Sequence, residues 1–166
     1  MTGRDTLIFL LATAGVMALA AAFESPDAEA PPPTFISDEL PLVARMVEIR
    51  AGNHGHYVTT ATIEHMPVSV LVDTGASKVA LSYEDADRVG LNPFVLRFDQ
   101  PVATANGIVH AALITLQRVE IENLVVYDVE GLVLPQGAMR GTLLGMSFLN
   151  RLSGFRISEG TLYLEQ

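Results

Sequence analysis

The chain has 166 residues, 49% of them hydrophobic, and its 10 Lys and Arg against 19 Asp and Glu leave a net charge of −9. That length suits one domain with extensions, and the acidic balance without any basic run argues against a nucleic-acid partner. The lack of cysteine removes structural disulfides, thiol nucleophiles and cysteine-type zinc sites together.

Taken in chain order, Thr6 to Phe23 is uncharged and almost wholly apolar, at the lower edge of the length that crosses a bilayer. Arg4 precedes it and Glu24, Asp27 and Glu29 follow, which orients the N-terminus to the cytoplasm and the remainder outward. Residues 1–23 are therefore read as a membrane anchor. A cleaved signal peptide is the alternative, because Ala18-Leu19-Ala20 and Ala20-Ala21-Ala22 offer small-residue cleavage sites. Residues 24–42 hold Pro26, Pro31-Pro32-Pro33 and Pro41 with five acidic residues and no basic one, the composition of an extended tether. Within it, Phe35-Ile36 and Leu40 are apolar exceptions, suited to docking or to a self-cleavage site.

Residues 43–166 read as a mostly β domain. Met46 to Arg50 alternates, Gly52-Asn53-His54-Gly55 turns, and Tyr57 to Ile63 is rich in Val and Thr. His65-Met66-Pro67 is expected to break the chain before a strand at Val68 to Val72. Ser82 with Asp85 three residues on predicts the N-terminus of a short helix running to Val89 and ended by Gly90. Asp85 and Asp87 on that helix read as a solvated face. Further strands are expected around Leu96 to Ala103, Ile108 to Leu116, Val119 to Ile121 and Leu124 to Leu134. Thr104-Ala105-Asn106-Gly107 reads as a hairpin tip, since Asn-Gly tolerates positive φ. Met146 to Leu152 suggests a second short helix, and a hairpin from Phe155 to Leu164 turning at Glu159-Gly160 closes the chain.

One segment carries chemistry. Val70-Leu71-Val72 runs as an apolar strand into Asp73-Thr74-Gly75-Ala76-Ser77, a turn that lifts one carboxylate to the mouth of a cleft. The triplet alone is weak evidence, expected by accident in roughly one chain in ten of this size. Its bland alternative is a turn in which Asp caps its own backbone and Gly supplies the unusual φ. A second marker lies downstream in Thr142-Leu143-Leu144-Gly145, followed by Met146-Ser147-Phe148-Leu149-Asn150. His54 and His56, two apart on a turn without acidic or Cys neighbours, read as exposed turn residues and not as a metal site.

With these landmarks in order, the chain resembles the retropepsins, single-domain aspartic proteases of retroviruses, and more closely their bacterial membrane-anchored relatives. Asp73-Thr74-Gly75-Ala76 matches the family's catalytic loop, Leu143-Leu144-Gly145 its supporting segment, and Thr104 to Gly107 the place of its flap hairpin. The likeness covers roughly Val47 to Leu164. It implies an all-β, single-lobe acid-protease fold with one or two short helices, active as a homodimer with Asp73 from each chain. It further implies an aspartic endopeptidase acting on polypeptides, without metal or cofactor. In that scheme Thr74 bonds to the partner chain beneath the carboxylates, Gly75 lets the substrate backbone approach, and Leu143, Leu144 and Gly145 support the loop by packing. Ala76 stands where pepsin-like enzymes carry Ser or Thr, so a pH optimum of about 5–6 rather than 2–3 is expected. Bacterial inner-membrane location with the domain in the periplasm follows from the anchor together with the resemblance, and secretion to the periplasm from a cleaved leader. The alternative function is a non-catalytic dimeric peptide-binding module on the same fold.

Overall fold

A computed structural model describes residues 45–104 and 107–166 of the chain. The anchor and tether of residues 1–42, and the hairpin residues Ala105 and Asn106, lie outside the described residues.

Alternation of apolar and polar residues makes β1 (Met46–Arg50), whose Val47 and Ile49 point inward. A single 3₁₀ turn over Asn53–Gly55 leads to β2 (Val58–Ile63), which pairs with β3 (Met66–Val72) as a hairpin. β4 (Val79–Leu81) is wholly buried and feeds α1 (Tyr83–Arg88). The Ser82 hydroxyl caps α1 by accepting from the Asp85 amide at 3.1 Å, and Gly90 leaves it at φ 86°, both as the sequence predicts. β5 (Gln100–Thr104) and the 15-residue β6 (Gly107–Ile121) form a second hairpin, and β6 continues into β7 (Leu124–Val133). β8 (Thr142–Leu144) precedes α2 (Met146–Leu149). The chain then closes through β9 (Gly154–Ser158) and β10 (Thr161–Glu165), with Glu159 and Gly160 at φ 50° and 73° in the turn.

Two sheets result. β10 lies between β1 and β9 in an antiparallel three-stranded sheet. The larger sheet runs β2-β3-β8-β4-β7-β6-β5, and β2 also pairs with β6 at Thr62 and Ile63, so that six of its strands close on themselves. Closure leaves the β5–β6 hairpin as the projecting arm. Leu81, Leu116, Ile121, Leu124, Leu144 and Phe148 fill the interior, each fully buried. Each such side chain stabilises the fold by about 1.5–3 kcal/mol through removal from water.

Two local expectations change. Pro67 sits inside β3 opposite Thr62, and the turn lies earlier, at Glu64-His65 with φ 47° and 70°. In a two-residue hairpin the pair next to the turn exchanges hydrogen bonds and the following pair does not, so the missing Pro67 N–H points away from β2. Nothing is lost on that side, because β8 pairs only with Val70 to Val72. Leu96 to Asp99 is not strand. A 3₁₀ turn at Pro93–Val95 precedes it, and Phe98 packs on Tyr83 with ring centroids 6.4 Å apart. The hairpin expected at Thr104 to Gly107 is present, with Gly107 pairing with Thr104 as the first residue of β6.

Candidate active site

The catalytic-type loop follows from how its flanking strands are threaded. β8 inserts between β3 and β4, parallel to β3 through Val70↔Thr142, Leu71↔Leu143 and Val72↔Leu144, and antiparallel to β4 at Ala80↔Leu143. Residues 73–78 must therefore cross over the end of β8 to reach β4. Backbone bonds hold that crossing. Asp73 N–H donates to the Leu144 carbonyl at 3.1 Å, Ala76 N–H to the Asp73 carbonyl at 3.2 Å, and Met146 N–H to the Ala76 carbonyl at 2.8 Å. The Ser147 hydroxyl accepts from Val79 N–H at 2.9 Å and donates to the Glu130 carbonyl at 2.7 Å, joining α2 to β4 and β7.

Gly145 shows why this position tolerates no side chain. A Cβ there would stand 2.2 Å from the Lys78 carbonyl oxygen and 2.6 Å from that of Ala76, inside contact distance of backbone that cannot yield. Its φ of −94° is ordinary, so the demand comes from close approach alone. Leu144 beside it is fully buried.

Asp73 is half-buried, and its Oδ1 accepts from Gly75 N–H at 2.9 Å, which orients the carboxylate. It opens on a cavity of about 540 Å³. The loop supplies Gly75, Ala76, Ser77 and Lys78 to the wall. Val102, Ala103 and Thr104 come from the β5 arm of the projecting hairpin. Ala80, Leu132, Leu134 and Leu143 form an apolar floor, with Ala138 and Met139 from the loop after β7. Of the residues singled out in the sequence, Asp73, Gly75, Ala76, Thr104 and Leu143 line this one cavity. Thr74 is exposed and lies outside that wall, as do Gly107, Leu144 and Gly145. The contribution of Val102, Leu132 and Met139 was not visible in the sequence, since only the sheet order brings them beside Asp73. Lys78 lies five residues on in the same loop, and the way that loop crosses β8 puts it on the wall.

A second cavity, of about 580 Å³, lies against α1 and is lined by residues including Asp85, Arg88 and Arg140. Asp85 is not on a solvated face. It is buried, with Oδ2 accepting from the Thr142 hydroxyl at 2.9 Å and Oδ1 from Arg88 at 2.7 Å. Oδ2 ties α1 to β8 and Oδ1 is held within α1, so both oxygens are occupied and this carboxylate is structural. Asp87 is exposed as expected. The Asp73 cavity, with an oriented and accessible carboxylate over an apolar floor, is the one equipped for chemistry.

Comparison with known proteins agrees with this geometry. Residues 59–151 match the gag-polyprotein putative aspartyl protease family. The crystal structure of a retropepsin-like aspartic protease from Rickettsia conorii superposes with a TM-score of 0.67 at 35% identity, covering 74% of this chain and 91% of that one. EIAV protease complexed with the inhibitor HBY-793 has a TM-score of 0.52 at 19% identity, over 62% and 93% of the two chains, a likeness of fold. An uncharacterized protein encoded in the cobV 5′ region of Sinorhizobium sp. is 42% identical over 111 residues, 67% of this chain and 48% of its own length. One from Rickettsia prowazekii (strain Madrid E) is 37% identical over 122 residues, 74% and 52% respectively. The chain spans about half the length of these curated relatives. Strand threading, an Asp-Thr-Gly crossing and a family match over more than half of its length place this chain among the retropepsin-like aspartic proteases.

Proposed function

We propose that the protein is an aspartic endopeptidase that works as a homodimer, with residues 43–166 as its peptidase domain. The observation that carries this reading is the solitary carboxylate. Among the described residues lining its cavity, Asp73 is the only acid, whereas water activation of this kind needs two. A second copy of the chain supplies the other. Two facing Asp73 carboxylates cannot both ionise, so they share a proton. The charged one takes a proton from a water held between them, and the protonated one donates a hydrogen bond to the scissile carbonyl. Water then adds to the carbonyl carbon to give a tetrahedral diol, with no covalent enzyme intermediate. Thr74 is assigned the bond to the partner chain beneath the carboxylates, a role its exposure beside Asp73 supports. The hairpin of Thr104, Ala105, Asn106 and Gly107 is assigned as a flap over an extended polypeptide, a role supported by Val102 to Thr104 on the cavity wall. Leu143, Leu144 and Gly145 support the loop from beneath, and Ala76 sets an optimum at about pH 5–6.

The location rests on sequence. The apolar run from Thr6 to Phe23 is assigned as a single-pass anchor in a bacterial inner membrane, with the peptidase in the periplasm and membrane or exported proteins as substrates. No helix among the described residues is long and apolar enough to cross a membrane. Sequencing the mature N-terminus distinguishes an anchor from a cleaved leader, and a start near Phe35 to Leu42 would indicate self-release.

The deciding experiment incubates the purified full-length chain and its Asp73→Asn variant with a diverse peptide library between about pH 4 and 7, reading products by mass spectrometry. Cleavage by wild type, reduced at least about a thousand-fold in the variant, supports the peptidase. Binding of peptides without cleavage by either protein would instead favour a non-catalytic binding module.

A further inference from the structure

The loop that carries Asp73 also carries a fixed positive charge. Among the described residues lining the Asp73 cavity, Lys78 is the only basic one. Its position is set by the same contacts that hold the loop. The Lys78 carbonyl abuts Gly145, and the next amide, Val79 N–H, donates to the Ser147 hydroxyl. That hydroxyl also donates to the Glu130 carbonyl, fixing β4 against β7 where Val79 pairs with Gly131. The Lys78 ammonium consequently meets the Glu130 carboxylate at 2.5 Å.

The pair is asymmetric toward the cavity. Lys78 lines it and its side chain is 29% exposed, whereas Glu130 lies off the wall and is 62% exposed. An ammonium has three N–H donors, so Lys78 can keep Glu130 and still donate to an incoming carboxylate. A cationic side chain entering beside it meets like charge. The neighbouring floor of Ala80, Leu132, Leu134 and Leu143 offers no competing polar group and suits aliphatic side chains. The remaining charge on the wall is Asp73, and an acidic side chain is excluded from its immediate vicinity by repulsion.

We infer that Lys78, positioned by Glu130, selects substrates with an acidic residue near an otherwise apolar cleavage site. The inference rests on the peptidase reading above and adds a substrate class to it. No global attraction favours such substrates, because the whole chain carries a net charge of −9. A preference for them therefore has to come from local donors, and among the described residues of the wall Lys78 is the charged one.

The test uses one cleaved apolar peptide in which Glu, Gln or Lys is placed in turn at each position flanking the scissile bond. Assays run at about pH 6, where a peptide Glu is ionised. Relative kcat/KM values are compared within each protein, so a general change in activity cancels. At one position wild type is expected to prefer Glu over Gln by about three- to ten-fold, the range for a partly exposed charge pair. Lys78→Met should bring that ratio to about one, Lys78→Glu should invert it in favour of Lys, and Glu130→Gln, which frees the ammonium, should raise it. Identical Glu, Gln and Lys ratios in wild type and these variants would overturn the inference while leaving the peptidase intact. Absence of any Asp73-dependent cleavage by wild type would overturn both.

Discussion

At the scale of single residues, the site depends on two atoms that are missing and one that is displayed. The displayed atom is Oδ1 of the Asp73 carboxylate, steered by Gly75 N–H. The missing ones are the β-carbons at Gly145 and Gly75. At Gly145 an added methyl would collide with two carbonyl oxygens of the loop it supports. Gly145→Ala is therefore expected to destabilise the fold by at least about 3 kcal/mol, measured by urea or thermal unfolding, because the obstacle is backbone and cannot rotate away. At Gly75 the added carbon would lie 3.1 Å from Asp73 Oδ1, tight enough to disturb the carboxylate without breaking the sheet.

Among the elements, the short pieces govern the site. β8 is three residues long, yet it supplies the parallel partner of β3, the antiparallel partner of β4 and the acceptor for Asp73 N–H. α1 is fastened to it through Asp85 and the Thr142 hydroxyl. Thr142→Val keeps the shape and removes the donor, leaving one oxygen of a buried carboxylate without its partner. A loss of about 1–3 kcal/mol is expected in equilibrium unfolding. Arg88→Ala takes the partner from the other oxygen, but that guanidinium is 55% exposed and both residues line the cavity beside α1, where water can replace it, so a smaller loss is expected. The role of Asp85 was illegible in the sequence. An acid three residues after Ser82 signals an N-cap equally well whether the helix face meets water or β8, and Thr142 is 57 residues away. Pro67 misled for a related reason. Proline normally interrupts a strand, but here its missing N–H faces the side where β8 has not yet begun.

For the whole molecule, the proposed mechanism needs two Asp73 carboxylates where one cavity offers one, so on that reading activity belongs to the dimer. Specific activity should fall on dilution, and mixing wild type with an equal amount of Asp73→Asn chain, after exchange, should leave about a quarter of the dimers with two Asp73 residues. Peptide cleavage measured across a mixing series checks this. Activity in simple proportion to the wild-type fraction would point to a monomeric catalyst. β5 and the first five residues of β6 stand outside the closed part of the sheet, paired only with each other. This hairpin borders the Asp73 cavity and packs through Val102, Val109 and Ala111 on the small cluster of Ala80, Leu132 and Leu134 rather than on the main core, which suits the proposed flap.

By itself the sequence determined the local terms of this protein. An apolar strand entering Asp73-Thr74-Gly75, a glycine after Leu143-Leu144, a capped helix at Ser82 and a closing hairpin at Glu159-Gly160 are encoded within a few residues each. Short-range sterics and hydrogen bonding decide such features. Tertiary structure alone decided that β8 threads between β3 and β4, that Asp85 is buried against Thr142, and that Lys78, Val102, Leu132 and Met139 share a cavity with Asp73. Those outcomes depend on which strands pair across tens of residues, and strand pairing is settled by burial of the whole apolar set, which no local window of sequence contains.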